Sequence, residues 1–286
     1  MEIPFCWVMV ATCLTVQAHQ ASEHVKVQPV AAQDAGEVMY LGNTGLWVSH
    51  GQLQVMFDPF FHNHYGQYQL VPESIRQDIF AGKAPFDAVE MILISHAHED
   101  HFDAGDLLKY LTAHKQTRLL APQQAIEQLQ KLSGYANIQS QVLGFGLQKG
   151  DEPVSHDLNG IRVEAVRIPH AGWPARAEVA NLVYRVTLNN QVTVMHMGDA
   201  DPDDEHFEPY QSHWASQTTD QAYPPFWFML VPDGQAILAN RIHAKHATGV
   251  HVPVSVPEAL QHSGADYFSI PGSTQSIKSN TEKSKQ

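Results

Sequence analysis

Ser95-His96-Ala97-His98-Glu99-Asp100-His101 places three imidazoles and two carboxylates within seven residues. The stretch follows directly on residues 89–94, whose apolar side chains (Val89, Met91, Ile92, Leu93 and Ile94) predict a strand buried on both faces. A loop rooted in a buried strand is held rigidly, and that is where scaffolds present ligands. In an extended turn His96 and His98 point the same way and can share one metal ion. Asp100 and His101 are offset from that pair and can serve a second. The donors are nitrogen and oxygen, which suits zinc, manganese or iron and excludes a metal selected by thiolates. Chance competes as an explanation in a chain with 18 histidines, yet so dense a pattern at a strand end seldom arises that way.

On the N-terminal side, residues 38–41, 46–48 and 53–57 predict three short strands, divided by Gly42-Asn43-Thr44-Gly45 and His50-Gly51. The third ends in Asp58-Pro59, and proline cannot continue a central strand. Residues 60–86 form a longer excursion, with a helix expected over 73–80. On the C-terminal side, Leu107, Leu108 and Leu111 fall at helical spacing in 104–114. Residues 118–121 predict a strand, and Pro122 and Gly134 bracket another helix. The second half repeats the theme, with strands expected over 161–168, 182–188, 192–197 and 226–231 and helices over 235–242 and 257–263. Three chemically capable residues stand at strand ends or beyond: His170, Asp199 and His251. No linker divides the core, so one domain is expected over 37–272, after a polar lead-in at 19–36. Residues 273–286 are polar, rich in Lys and Ser, and are expected to be disordered.

The 286 residues are 43% hydrophobic and 16% charged, which fits a folded globular chain. The formal net charge of −13 repels nucleic acid and anionic membrane, and no run of basic residues offsets it. A small-molecule substrate suits such a surface, and nothing in the pattern sets an oligomeric state. Residues 1–18 read as a signal peptide: an apolar stretch from Ile3 to Val16, too short to span a bilayer, precedes the small residues of Val16-Gln17-Ala18. Glu2, with no Lys or Arg beside it, departs from the usual leader pattern. The expected location is therefore periplasmic or secreted, with no stable membrane insertion after cleavage. Cys6 and Cys13 both lie in this leader, so the mature chain would have no disulfide and no thiolate ligand.

The cluster at 96–101, then His170, Gly198-Asp199 and a late His251, in that order, resembles the metallo-β-lactamase superfamily. Leu41-Gly42-Asn43-Thr44-Gly45-Leu46, Phe57-Asp58-Pro59 and the stretches 219–227 and 245–251 resemble its branch of ascorbate-phosphate lactonase-like proteins. The resemblance implies an α/β fold, the four-layer αβ/βα sandwich of two mixed β-sheets flanked by helices. It also implies two divalent metal ions, with zinc expected first and manganese or iron as alternatives. His96, His98 and His170 would hold one, Asp100, His101 and His251 the other, and Asp199 would bridge them. His156, His243 and His246 are the nearby competitors for the later positions.

Two such ions would ionise a shared water for attack on a lactone, ester, amide or phosphodiester. Asp100 and Asp199 would be the catalytic carboxylates, Asp100 by orienting the nucleophile or taking up a proton. Asp58 is a candidate hydrogen-bond partner for a ligand histidine. The chain has no Gly-x-Ser-x-Gly elbow and needs no serine nucleophile. His62, His64, Tyr65, Trp173, His213, Trp214, Phe226 and Trp227 fall in segments able to line a pocket, and no basic cluster stands out as a phosphate clamp. Two other classes remain open: persulfide oxidation by a single iron on the same fold, and metal binding without catalysis.

Overall fold

In the computed structural model, residues 35–278 and Met1 are described. The expected leader with its two cysteines, nearly all of the lead-in, and residues 279–286 lie outside the described residues. Among the described residues no helix is long and apolar enough to cross a membrane.

The described residues form thirteen strands, and alternating or continuous apolar runs supply most of them. The first sheet contains β1 (Gly36–Gly42), β2 (Gly45–His50), β3 (Leu53–Phe57), β4 (Val89–Leu93), β5 (Arg118–Pro122), β6 (Val142–Phe145) and, at its edge, β13 (Thr274–Ile277). Its order is β13-β1-β2-β3-β4-β5-β6, antiparallel from β13 to β3 and parallel from β3 to β6. The second sheet contains β7 (Val154–Leu158), β8 (Ile161–Arg167), β9 (Leu182–Leu188), β10 (Val192–His196), β11 (Thr219–Tyr223) and β12 (Ala244–Ala247), in the order β12-β11-β10-β9-β8-β7. It is parallel from β12 to β10 and antiparallel beyond.

The inner faces of the two sheets meet in one apolar layer, where Val48, Val55 and Met91 pack with Val163, Val186 and Val194. Outside the first sheet lie α1 (Glu73–Ala81), α2 (Ala104–Ala113) and α3 (Gln123–Gln130), burying Ile79, Leu107, Leu111, Ile126 and Leu129. Outside the second lie α4 (Gln211–Ala215), α5 (Pro232–Ala236), continued by one π-helical turn, and α6 (Glu258–Gln261), which contribute Trp214, Ile237 and Leu260. The result is helix, sheet, sheet, helix, the four-layer α/β sandwich that the resemblance implied. Every residue of β9 is buried, and each aliphatic side chain so removed from water contributes about 1.5–3 kcal/mol.

Two expectations are corrected. Residues 226–231 do not form a strand. After Pro224-Pro225 the chain turns into a short 3₁₀ segment, with Phe228 N–H donating to the Pro225 carbonyl and Leu230 N–H to that of Trp227. Nor is the expected tail disordered from residue 273, because Thr274–Ile277 pairs antiparallel with β1 and Ile277 is buried. Strand pairing uses backbone groups, so a polar segment with one buried side chain suffices at a sheet edge. β6, β7, β11 and β12 are additional strands whose mixed or polar composition hid them; Thr219, Asp220 and Gln221 of β11 are all buried.

Candidate metal centre

The seven residues singled out above converge at one end of the sandwich, where the loops after β4, β8, β10 and β12 meet. The first loop is pinned before its histidines begin. Leu182 N–H donates to the Ser95 carbonyl, Tyr184 hydroxyl to the Ile94 carbonyl, and Ser95 N–H to Asp58 Oδ1 at 2.7 Å. His101 N–H and Phe102 N–H then close back onto the His98 carbonyl. Gly198 carries the second sheet's contribution. Its φ of +53° lies in the left-handed region, and a Cβ there would collide with Asn181 and lie 2.7 Å from Ser95 Cβ. Asp199 is thereby held with its backbone N–H donating to Asn181 Oδ1.

His96, His98 and His170 form one group of donors, Asp100, His101 and His251 another, and His96, His101 and Asp199 link them. Asp199 stands between the triads. Its Oδ2 is 3.3 Å from His170 Nε2, and its Oδ1 is 3.3 Å from both His101 Nε2 and His251 Nε2. All seven are buried except His98, which is half-buried and lines a cleft.

Proton accounting shows what this centre can accept. Asp58, fully buried, accepts from Ser95 Oγ and from Thr44 Oγ1. Having given up their hydrogens, those hydroxyls can only accept from histidine: His96 Nδ1 lies 3.0 Å from Ser95 Oγ, and His101 Nδ1 lies 2.9 Å from Thr44 Oγ1 and 3.0 Å from Asp58 Oδ2. His170 Nδ1–H donates to the Ala171 carbonyl at 2.8 Å. These partners place the Nδ1 hydrogens outward and turn three Nε2 lone pairs inward. His101 Nε2, His170 Nε2, His251 Nε2 and Asp199 Oδ1 are buried without a hydrogen-bond partner. Acceptors that converge on shared space need positive charge between them, and an all-nitrogen and oxygen set fits divalent cations.

The electrostatics agree. Burial alone would raise Asp199, but His251, His101 and His170 outweigh it and hold the carboxyl well below its ordinary range. Burial would likewise depress His101, yet Asp199, Asp58 and Asp100 push it well above the ordinary imidazole value. A divalent ion takes the place of such a proton when it binds.

The centre opens into a cleft of about 540 Å³ whose lining includes Tyr65, Tyr68, His98, Asp100, Asp199 and His251. Residues 54–258, most of the chain, match the family model described as the beta-lactamase superfamily domain. The chain belongs to that superfamily. Two solved structures with this fold align over nearly their whole length and a third over about half of its own. A metallo hydrolase of Ignicoccus hospitalis shares 16% identity at a TM-score of 0.57, covering 85% of this chain and 98% of that one. The metallo-beta-lactamase fold protein YhfI of Bacillus subtilis shares 16% at 0.57, covering 85% and 99%. CmlA, a diiron beta-hydroxylase of Streptomyces venezuelae, shares 13% at 0.51, covering 88% of this chain and 55% of its own. No curated protein sequence matches the chain.

Asp58 does face a candidate ligand histidine, His101. Tyr65 and Trp227 line the cleft or its second lobe, and Phe226 packs on Trp227. His62 instead pairs with Asp106 outside the site, Trp173 lies under Lys149, and His213 with Trp214 belongs to the helical layer. His156 sits within β7, and His246 on β12 lines a separate polar groove. Sequence reasoning missed Asn43, Thr44, Ser95 and His196. Asn43 Nδ2 donates to the Asp100 backbone carbonyl and approaches Asp100 Oδ2 at 3.3 Å. His196 Nε2–H donates to the Thr44 carbonyl while its ring stacks on Phe57. A turn of Gly, Asn and Thr gives no sign that it will reach across 57 residues to brace a histidine cluster.

Proposed function

We propose that this protein is a metal-dependent hydrolase acting on a small molecule with a lactone, ester, amide or phosphodiester bond. The inward-facing Nε2 lone pairs on either side of Asp199 carry the reading. His96, His98 and His170 would hold one divalent ion, Asp100, His101 and His251 the other, with Asp199 shared. When bound, such a pair supplies ionised water and polarises the substrate oxygen. The protein's own part is to hold the imidazoles in one tautomer through Asp58, Ser95 and Thr44, and to keep Asp199 ionised. Burial and the charges of Asp199 and Asp100 push the Tyr68 phenol up to about 12, so it remains a hydrogen-bond donor facing the cleft. The half-exposed His98 and the open cleft give substrate access, which a metal buffer does not need.

The fold also carries oxygen chemistry, as in the diiron beta-hydroxylase. Two complete donor groups favour a paired centre over a single iron. Elemental analysis of purified protein, together with turnover of a panel of lactones, esters, amides and phosphodiesters, tests the proposal. Two zinc or manganese ions per chain and hydrolysis of a panel member are expected. Iron with oxygen uptake, or a fully metallated protein inert toward the whole panel, would overturn it.

A further inference from the structure

We propose that Arg176 selects substrates that carry a carboxylate joined to an apolar body. The proposal takes its chemistry from the hydrolase reading, but the binding preference stands apart from turnover. The cleft has a second lobe of about 460 Å³, lined by Ala171, Gly172, Ala175 and Trp227. Tyr68, Arg176, Asp199 and His251 line both lobes, so Arg176 stands where the polar and apolar halves meet beside the metal centre. Among the lining residues it is the one arginine, and no lysine joins it.

Arg76, Arg162, Arg185 and Arg241 each form an ion pair with a carboxylate. Arg118 and Arg167 donate to backbone carbonyls instead, and Arg176 forms no ion pair among the described residues, although the chain has 30 acidic residues against 17 basic. The residue is exposed, with one guanidinium nitrogen 3.5 Å from His170 Nδ1. That ring nitrogen already donates to the Ala171 carbonyl, so the guanidinium donors remain available.

The strap that carries Arg176 is anchored along its length. Ala171 N–H donates to the Asp199 carbonyl at 2.7 Å, Gly172 N–H to Asp201 Oδ2 at 3.1 Å, Val179 N–H to the Arg176 carbonyl, and Arg167 to the Ala177 carbonyl. The arginine stem lies along Gly172, where an added Cβ would sit 3.7 Å from Arg176 Cδ.

The chemistry favours a carboxylate over a phosphate dianion. A single guanidinium brings one positive charge and a planar fork that matches a carboxylate. Glu178, Asp100 and Asp199 share the polar lobe and oppose a more highly charged group. Trp227 and the small Ala171 and Ala175 offer the apolar seat.

Calorimetric titration of the zinc-loaded full-length protein with 4-phenylbutyrate and with its neutral amide tests this. The wild type should bind the acid about tenfold more tightly than the amide, the preference should fall to about twofold or less in R176Q, and R176K should lie between, since it restores charge without the fork. Equal affinity of the wild type for both probes would overturn the proposal. So would a preference that survives in R176Q, because the cations would then be capturing the carboxylate. Failure of the hydrolase reading shows elsewhere, as absence of turnover across the panel with the acid preference intact.

Discussion

Asp58 has no accessible surface in the cleft, yet it sets the protonation pattern of the site. Burial would raise its carboxyl, but His101, His196 and Ser95 hold it below the ordinary carboxylate range. Asp58→Ala leaves His101 free to change tautomer and Ser95 and Thr44 free to donate elsewhere. Loss of such a partner costs about 10- to 100-fold in metal affinity, measurable by competition with a chromophoric chelator while circular dichroism confirms the fold. Asp199→Ala acts more directly, removing the group shared by both triads. Turnover should fall at least about a thousandfold, equivalent to about 4 kcal/mol of transition-state stabilisation, with fewer than two ions per chain. Retained turnover at full metal content would contradict the shared-carboxylate arrangement. At this scale the sequence was legible wherever chemistry and strand ends coincided, as at His96, His170 and Asp199. It was silent on Asn43 and Thr44, whose side chains are those of ordinary turn residues.

At the scale of elements, β9 and β8 meet the short helix α4 through one buried ion pair. Arg185 Nε donates to Glu164 Oε2 at 2.8 Å, and the guanidinium also donates to the carbonyls of His213 and Gln217. Removing one partner of a buried pair leaves a charge uncompensated, so Arg185→Ala should destabilise by about 3–5 kcal/mol in denaturant titrations. His213 adds a pH dependence. Burial, with Arg185 beside it, lowers its pKa to about 4, so the folded state binds this proton less tightly than the unfolded chain. Stability is therefore lost as pH falls from the ordinary imidazole value near 6.5 toward 4. The loss at pH 5 should be about 1 kcal/mol after allowance for partial solvent exposure. His213→Gln should flatten that part of the stability profile, and an unchanged slope between pH 7 and 5 would refute the assignment. The strands read correctly were the apolar ones. β11 was not, because buried Asp220 accepts from Lys245 and the Thr193 backbone and buried Gln221 donates to Thr248, partners supplied by other elements.

Across the whole molecule, the candidate metal centre joins the two sheets, since the loop after β4 supplies one part of the donor set and the loops after β8, β10 and β12 the rest. A ligand that binds only the folded state stabilises it by mass action. Chelator treatment should lower the Tm by several degrees, with recovery on adding zinc; an unaltered Tm would mean that the ions do not bridge the sheets. The edge of the first sheet gives a second test. Deleting residues 273–286 removes β13, exposes the backbone of β1 and uncovers its apolar neighbours, so lower solubility and a lower Tm are expected. A truncated protein as stable as the full chain would show that β13 is dispensable.

Donor chemistry and its first address were legible in the sequence: nitrogen and oxygen side chains at the end of an apolar strand, because side-chain type and hydrophobic period are local properties. The order of the later His and Asp residues carried the family resemblance, and with it the layered fold. The folded structure was needed to show which nitrogen of each ring faces inward, which residues brace the cluster, and that Arg176 stands at the junction of the two lobes. Those outcomes depend on contacts between residues tens to hundreds of positions apart, and on backbone pairing at β11 and β13 that side-chain composition does not encode.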